Sequence, residues 1–227
     1  MNYSKRLIEI AKSIEKGSSL IDVGCDHGYI AKILLDEDIV DKVIESDISE
    51  PSLEKAKLLL SGDKYSGKVE FIVSDGLNGI DTKDYDTLLI AGMGEDTIMN
   101  ILSSNIDKVK NFKHIVLQAM GDGVQIRKYF KENNFHIKRE RFFIDNDKYY
   151  RLYEVCCKQS NVENYNFPVN FYKDDIDDLM IYYKNQIENL KSILTKINKE
   201  KNLDKFYELE KELNSIKEYM EKINEKR

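Results

Sequence analysis

The sequence of 227 residues contains only two prolines, no tryptophan and three cysteines. It has no run approaching the roughly 18 uncharged apolar residues that a membrane-spanning helix needs, and its charged, amphipathic start differs from a secretory signal. Cys156 and Cys157 would point to opposite faces of a strand, and Cys25 lies far from both in sequence. These absences argue against a membrane span and a disulfide framework, and we expect a soluble cytoplasmic protein.

Basic residues are also fewer than acidic ones. The chain has 35 Lys plus Arg against 41 Asp plus Glu, which gives a formal charge of -6. Because phosphate binding draws on lysine and arginine, this balance argues mildly against a nucleic acid as partner. The local balance differs, since residues 124–158 carry nine basic and five acidic side chains with aromatic residues among them. Such a mixture is typical of a surface that follows a phosphate backbone.

The first two thirds of the chain alternate apolar runs with helical patterns, which predicts βαβ units around a parallel sheet. The runs typical of buried strands are Ser19–Gly24, Lys42–Ile48, Val69–Asp75, Asp86–Ala91 and His114–Gln118. The helical patterns are residues 4–16, Tyr29–Ile39, Pro51–Leu60, Glu95–Leu102 and Val124–Asn133. Two last runs, Phe135–Ile144 and Tyr149–Cys156, predict an antiparallel hairpin that closes the sheet.

The last third is predicted to be helical after a polar linker at Gln159–Pro168. Apolar residues recur every three or four positions in two sets, and their register breaks between Asn198 and Asp204. Two antiparallel helices joined by a short loop are the simplest interpretation, and one long helix in a dimeric coiled coil is the alternative. We therefore predict domains at residues 1–160 and 169–227, in a monomer or a weak dimer.

The strongest motif is the run from Asp22 to Tyr29 (DVGCDHGY), where the first predicted strand turns into its helix. Glycines there let the backbone approach a ligand at a helix N-terminus. Asp47 ends the next strand 23 positions after Gly24, close to the roughly 20 residues expected before a ribose-binding acid. A dinucleotide is disfavoured because Asp26 replaces the middle glycine of its fingerprint and Asp22 adds a second carboxylate. Carboxylates attract a cation, and S-adenosylmethionine carries an ammonium and a sulfonium but no phosphate.

Two further runs lie at the same edge of the predicted sheet, where open α/β sheets bind ligands. In Ser74-Asp75-Gly76-Leu77, the acid can accept from an exocyclic amine and the leucine can cover an adenine face. The run Ala91-Gly92-Met93-Gly94 follows the fourth strand. We predict no metal site, and the predicted cofactor-binding residues are Asp22, Gly24, Cys25, Asp26, Gly28, Asp47, Ile48, Asp75, Gly76, Leu77, Ala91 and Gly92.

The runs DVGCDHGYIAKIL, SDGL and AGMG, the last before a helix, resemble those of the bacterial TrmK family, the tRNA (adenine(22)-N1)-methyltransferases. The resemblance covers the whole chain. It implies a class I Rossmann-like methyltransferase fold with a C-terminal α-helical, coiled-coil-like hairpin, S-adenosyl-L-methionine as cofactor and tRNA as substrate. The chain departs from the family at Glu95, where a glycine is usual, and at Gln118-Ala119-Met120, where Gln-Pro-Asn is usual.

The chemistry that the resemblance implies does not depend on a general base. N1 of adenine has an in-plane lone pair that is largely unprotonated at neutral pH, so orientation would lower the barrier most, by about 7 to 11 kcal/mol at best. Asp26 is the candidate to stabilise the cationic product. Tyr29 and Met93 are predicted to stack on an extruded base, and His27 to contact the base or the methionine part of the cofactor.

The basic segment supplies the predicted tRNA contacts, which are Arg127, Lys128, Arg139, Arg141 and Arg151. Two alternatives stay open. One is a methyltransferase of a small molecule or protein, because its sheet motifs would look the same. The other is an inactive cofactor-binding module that acts through its helices.

Overall fold

The computed structural model of the protein describes residues 3–225, and its seven strands form one sheet. The strands are β1 (Ser18–Val23), β2 (Val40–Asp47), β3 (Val69–Val73), β4 (Thr87–Gly94), β5 (His114–Met120), β6 (Phe135–Asp145) and β7 (Lys148–Cys157). Their order is β3-β2-β1-β4-β5-β7-β6, with β1 to β5 parallel and β7 antiparallel to β5. The predicted parallel sheet with an antiparallel terminal hairpin is confirmed.

The helices follow the predicted pattern with small shifts at their ends, and one short helix, Ile106–Val109, was not predicted. They are α1 (Lys5–Lys12), α2 (Tyr29–Asp36), α3 (Glu50–Leu59), α4 (Glu95–Ser104), α5 (Ile106–Val109), α6 (Val124–Glu132), α7 (Ile176–Lys196) and α8 (Leu203–Asn224). Ser49 begins α3 by accepting a hydrogen bond from the amide of Ser52, and Pro51 lies in the first turn, where its missing donor costs nothing. No helix within residues 3–225 is long and apolar enough to cross a membrane.

The core lies on both faces of the central strands. Ile21, Leu88 and Leu117 are fully buried against helical residues such as Ile98 and Phe130. Each such side chain contributes about 1.5 to 3 kcal/mol by leaving water. Burial on both faces explains why these strands have nearly continuous runs of Val, Ile and Leu.

The hairpin and the segment after it complete the edge of the sheet. Asn146 and Asp147 join β6 to β7, both at positive φ (48° and 60°), as a two-residue turn of the favoured hand requires. The segment predicted to be a linker runs along β6, where the Asn161 side chain accepts from the amide of Ile137 and donates to its carbonyl, both at 2.9 Å. These bonds cover a strand edge that would otherwise be open to pairing.

The chain divides into two compact units. The first runs to Arg141 and includes Tyr150–Asn170, and the second joins Phe142–Tyr149, the tip of the hairpin, to the chain from Phe171 onward. In the second unit α7 and α8 are antiparallel, because Tyr183 near the start of α7 contacts Tyr219 near the end of α8, with ring centroids 5.5 Å apart. The predicted helical hairpin is confirmed, and the single long helix is wrong. These units differ from the predicted domains, residues 1–160 and 169–227, in that the hairpin tip groups with the helices.

Candidate functional site

A cavity of about 1100 Å³ opens at the carboxyl edge of the parallel strands. The ends of β1 and β2, the turns after β1, β2 and β3, and the end of β4 supply most of its wall, together with one side of α4 and part of α1. The cavity brings together most of the predicted site residues: Asp22, Gly24, Cys25, Asp26, His27, Tyr29, Asp47, Ile48, Asp75, Gly76, Ala91, Gly92 and Met93. Side chains far apart in sequence thus share one concave surface.

Gly28 and Leu77, two of the predicted cofactor contacts, do not line the cavity. Gly28 precedes α2 at φ +72°, and a Cβ there would lie 3.0 Å from the Cβ of Ala56 and 3.1 Å from Oε2 of Glu45. Its role is to permit this close approach. Leu77 is fully buried in the core of the first unit. Ile48, which is exposed and lies on the cavity wall, is the apolar side chain that can cover an adenine face instead.

Asp22 is a buried acid on the cavity wall. It is 2% exposed, and its Oδ2 has no hydrogen-bond partner among residues 3–225. Burial raises the pKa of Asp22 to about 7, the charge of Asp47 adds to this increase, and the guanidinium of Arg6 opposes it. A buried carboxylate oxygen without a partner is costly, so this position favours a ligand that is cationic or donates a hydrogen bond.

Glu45 is a second buried acid beside Asp22, and the sequence analysis missed it. The two residues are register partners on β2 and β1, and the buried carboxyl group of Glu45 faces the Cys25 thiol. Burial raises the pKa of Glu45 well above its ordinary value, and the charges of Asp22 and Asp47 raise it further. Burial and then Glu45 also raise the pKa of the Cys25 thiol, so Cys25 is an unreactive buried side chain.

Asp47 holds the loop that carries Asp26 by accepting hydrogen bonds from backbone amides. Its Oδ2 accepts from the amide of Asp26 at 3.2 Å, and its Oδ1 accepts from the amide of Ser49 at 2.8 Å. The exposed Asp26 carboxylate lies 2.8 Å from Nδ1 of His27. The ring of His27 is stacked on that of Tyr29, with centroids 5.7 Å apart and an interplanar angle of 13°. Three of the four predicted catalytic residues, Asp26, His27 and Tyr29, therefore form a flat aromatic surface beside a carboxylate.

The end of β4 completes this part of the wall. The pairing with β5 passes from Ala91 to Met93, so Gly92 is an extra, bulged residue in the strand. The side chain of Met93 lies against Gly24, and a Cβ at Gly24 would overlap the Met93 methyl group. Gly24 also has φ +76°, a backbone conformation that favours glycine, so a side chain there would strain the loop as well as displace Met93.

The sequence analysis also missed several polar wall residues. Arg6 of α1 lines the cavity and donates a hydrogen bond of 2.9 Å to Gln118 of β5. The exposed residues of α4 that face the cavity are Thr97, Asn100 and Ser104. Their spacing of three and four residues was visible in the sequence, but any solvated helix face has the same pattern.

Two of the five predicted tRNA contacts are buried, and that prediction was wrong for them. Arg127 is 1% exposed and donates from Nη1 to Oε1 of Glu140 at 2.7 Å. Arg151 is 3% exposed and donates to the carbonyl of Gly121. A count of basic residues treats each one as surface, whereas alternate side chains of a strand, and one face of a helix, point into the core.

The other three basic residues reach the surface to different extents. Lys128 is exposed. Arg139 is partly exposed and pairs with Glu154 at 3.0 Å, and Arg141 is more covered and pairs with Glu9 at 2.8 Å. Contact with tRNA stays a prediction for these three residues.

Glu95, one of the two departures from the family pattern, begins α4 and supports the start of the next long helix. Its carboxylate accepts from the amides of Gly123 at 2.6 Å and Ile126 at 3.3 Å. Burial raises the pKa of Glu95, and the two amide hydrogen bonds counteract that increase. A Cβ at Gly121 would collide with the Glu95 side chain, so the glycine leaves the space that this side chain occupies.

The fold and site have known counterparts. A family model described as "Methyltransferase domain" matches residues 3–153, so the chain belongs to the methyltransferase domain family. A protein of Mycoplasma pneumoniae is 34% identical over 141 residues, 60% of this chain and 63% of that protein. The tRNA (adenine(22)-N(1))-methyltransferase of Bacillus subtilis is 26% identical over 152 residues, 67% of this chain and 64% of that enzyme. The chain thus spans less than two thirds of the length of these relatives.

A solved structure matches over nearly the whole length. TrmK of M. capricolum in complex with S-adenosyl-homocysteine has a TM-score of 0.84 and 27% identity, and the match covers 97% of this chain and 99% of that one. The predicted class I Rossmann-like methyltransferase fold and the resemblance to the TrmK family are confirmed. No group of three or more His, Cys, Asp or Glu side chains within residues 3–225 is arranged to hold a metal ion.

Proposed function

We propose that this protein is a tRNA (adenine(22)-N1)-methyltransferase, which transfers a methyl group from S-adenosyl-L-methionine to N1 of an adenine in tRNA. The observation that carries the proposal is Asp22, a buried acid without a partner for Oδ2 on the wall of the large cavity of a methyltransferase domain. The name of the B. subtilis relative and the S-adenosyl-homocysteine bound to M. capricolum TrmK support the choice of substrate and cofactor.

The residues present fit this cofactor. Its amino-acid end carries one positive and one negative group, and the cavity offers Asp22 for the ammonium and Arg6 for the carboxylate. Asp47 and Asp75 are acids on the same wall that suit ribose hydroxyls and an adenine amine, and Ile48 is an exposed apolar residue. A dinucleotide fits poorly, because its pyrophosphate would meet the carboxylates of this wall.

The bound cofactor supplies an electrophilic methyl group on a positively charged sulfur. The residues of the chain orient the two reactants. The stacked rings of His27 and Tyr29 offer a platform for an extruded base, since aromatic faces bind bases by stacking. Asp26, exposed beside those rings, stabilises the positive charge that develops on the adenine. No group has to remove a proton from N1, so positioning accounts for most of the rate.

The proposal extends to partners and location. Lys128, Arg139 and Arg141 are the basic residues that can approach tRNA phosphates. We expect the protein to act as a monomer or a weak dimer in the cytoplasm, where its substrate is found.

Methyl transfer to competing acceptors tests the proposal. The protein would be incubated with methyl-labelled S-adenosylmethionine and, separately, unmodified tRNA transcripts, a small-molecule extract or a protein extract. A Gly24→Val variant, whose side chain would collide with Met93, is the negative control. We expect label in tRNA from the wild type and none from the variant. Label only in protein or small molecules would overturn the choice of tRNA as substrate. A protein that does not bind S-adenosyl-homocysteine would overturn the assignment of the cofactor.

A further inference from the structure

Gln118 links two walls of the cavity through a single atom. It lies at the end of β5 and is 0% exposed. Its Oε1 accepts from the backbone amide of Gly92 at 3.1 Å and from Nη1 of Arg6 at 2.9 Å. Its Nε2 donates to the carbonyl of Ala119 at 3.1 Å, which fixes the orientation of the amide group. The two contacts to Oε1 come from α1 and from the last part of β4, which are distant in sequence.

The amide of Gly92 needs this acceptor because the sheet does not supply one. Gly92 is the bulged residue between Ala91 and Met93, so it has no register partner on β5. Gly92 is only partly buried, and the Gln118 side chain supplies the acceptor that the bulge takes away from its amide. The bond also holds the end of β4 that carries Met93, which lies against Gly24.

Arg6 is held against the same part of β4. Gly92 has φ +80°, and a Cβ at this position would lie 3.4 Å from Nη1 of Arg6. The guanidinium also favours the charged form of Asp22, the acid assigned to the cofactor ammonium. The position of Arg6 therefore affects the cofactor side of the cavity, whereas the bond to Gly92 affects the position of Met93, which is expected to stack on the target base.

We propose that Gln118 is a positioning residue. Its amide oxygen holds Arg6 for the cofactor and, through Gly92, holds the end of β4 for the target adenine of the tRNA. This proposal rests on the proposed function. It assigns two effects to Gln118, one on cofactor affinity and one on the rate of methyl transfer. Loss of the bond to Arg6 weakens cofactor binding, and loss of the bond to Gly92 slows methyl transfer. Gln118 itself touches neither reactant.

Gln118→Met tests this, because methionine keeps the length of the side chain and removes the acceptor. We expect affinity for S-adenosyl-homocysteine, measured by calorimetry, to fall roughly two- to tenfold. The single-turnover rate on tRNA at saturating cofactor should fall by about 10- to 100-fold, since small misplacements of reactants have effects of this size. Thr87→Val is the matched control: it removes a buried hydroxyl that bonds to Asp86 at the opposite end of β4, and both quantities should stay unchanged. Normal affinity and rate in a folded Gln118→Met protein would overturn the proposal.

An Arg6→Met background separates the two effects. There, Gln118→Met should cause no further loss of affinity for S-adenosyl-homocysteine but should still slow methyl transfer by the same factor. A role limited to stability would not give this division. A further loss of affinity of the same size as in the wild type would contradict the link through Arg6.

Two more variants keep the test valid if Gln118→Met does not fold. Gln118→Glu retains an acceptor at the same reach, whereas Gln118→Asn withdraws it by one methylene. The asparagine variant should be at least about tenfold slower than the glutamate variant, and equal rates would overturn the proposal. If the wild type fails to methylate tRNA but binds S-adenosyl-homocysteine, the proposed function fails. The calorimetric comparison of Gln118→Met with wild type and the Arg6→Met background still decides the role of Gln118.

Discussion

Replacing Asp22 with asparagine is expected to stabilise the fold while it removes cofactor binding. Burial, reinforced by the charge of Asp47, raises the pKa of Asp22 from 3.8 to about 7. Between these two pH values the native carboxyl holds a proton that the unfolded chain has released. Stability therefore falls as the pH rises through this window, and the loss is complete above about pH 7. Asparagine has no charge to bury, so it escapes this cost.

The size of the effect follows from the two pKa values of Asp22. At about 1.4 kcal/mol per pH unit, the cost of the charged form reaches about 4 kcal/mol above pH 7 and is about 2 kcal/mol at pH 5. Asp22→Asn should thus stabilise the protein by about 2 to 3 kcal/mol more at pH 8 than at pH 5. Glu45 acts in the same direction, because the charge of Asp22 also raises its pKa.

Urea denaturation at pH 5 and pH 8 measures this difference, and calorimetry with S-adenosyl-homocysteine measures the loss of binding. Asp75→Asn is the matched control, since Asp75 lines the same cavity but is exposed. Its effect on stability should be within about 0.5 kcal/mol at both pH values. If Asp22→Asn changed stability equally at both pH values, or bound the ligand as the wild type does, the account of Asp22 would be refuted.

The remaining predictions concern the ribose acid, the buried ion pair and the basic surface. Asp47→Ala should weaken S-adenosyl-homocysteine binding at least about tenfold by calorimetry, because the loop loses an acceptor for two backbone amides; unchanged affinity would mean that Asp47 has no part in the site. Arg127→Met and Glu140→Gln should each cost about 3 to 5 kcal/mol in urea denaturation, because each leaves a buried charge or polar group unpaired. The double variant should lose less than the sum, and an additive loss would show that the two are not coupled. Lys128→Glu combined with Arg139→Glu should weaken tRNA binding and lower its salt dependence with no effect on the cofactor; equal tRNA affinity at matched salt would remove this surface.

The elements and most of the site could be predicted from the sequence because they depend on local patterns. Strands buried on both faces require continuous apolar runs, and the break in register between Asn198 and Asp204 corresponds to the loop between α7 and α8. The acids and glycines at the strand ends meet because parallel strands place their carboxyl ends at one edge of the sheet. Asp22, Asp47 and Asp75 therefore line one cavity, as expected.

The residues that the sequence did not reveal depend on contacts between distant segments. Arg127 and Arg151 look like surface residues in a basic segment, yet their partners at Glu140 and Gly121 make them buried. Gln118 was noted only as part of a run that departs from the family pattern, and its role could not be predicted because that role comes from a bulge in the neighbouring strand. Leu77 has the right spacing for the adenine, but its side chain points into the core.

Mapping the methylated atom on tRNA tests the central claim most directly. A transcript with adenine at position 22 and a matched transcript with guanine there would be incubated with the protein and S-adenosylmethionine, then digested and analysed by mass spectrometry. The account predicts 1-methyladenosine from the first transcript and no methylated nucleoside from the second. Methylation of both transcripts, or of another atom or position, would contradict it.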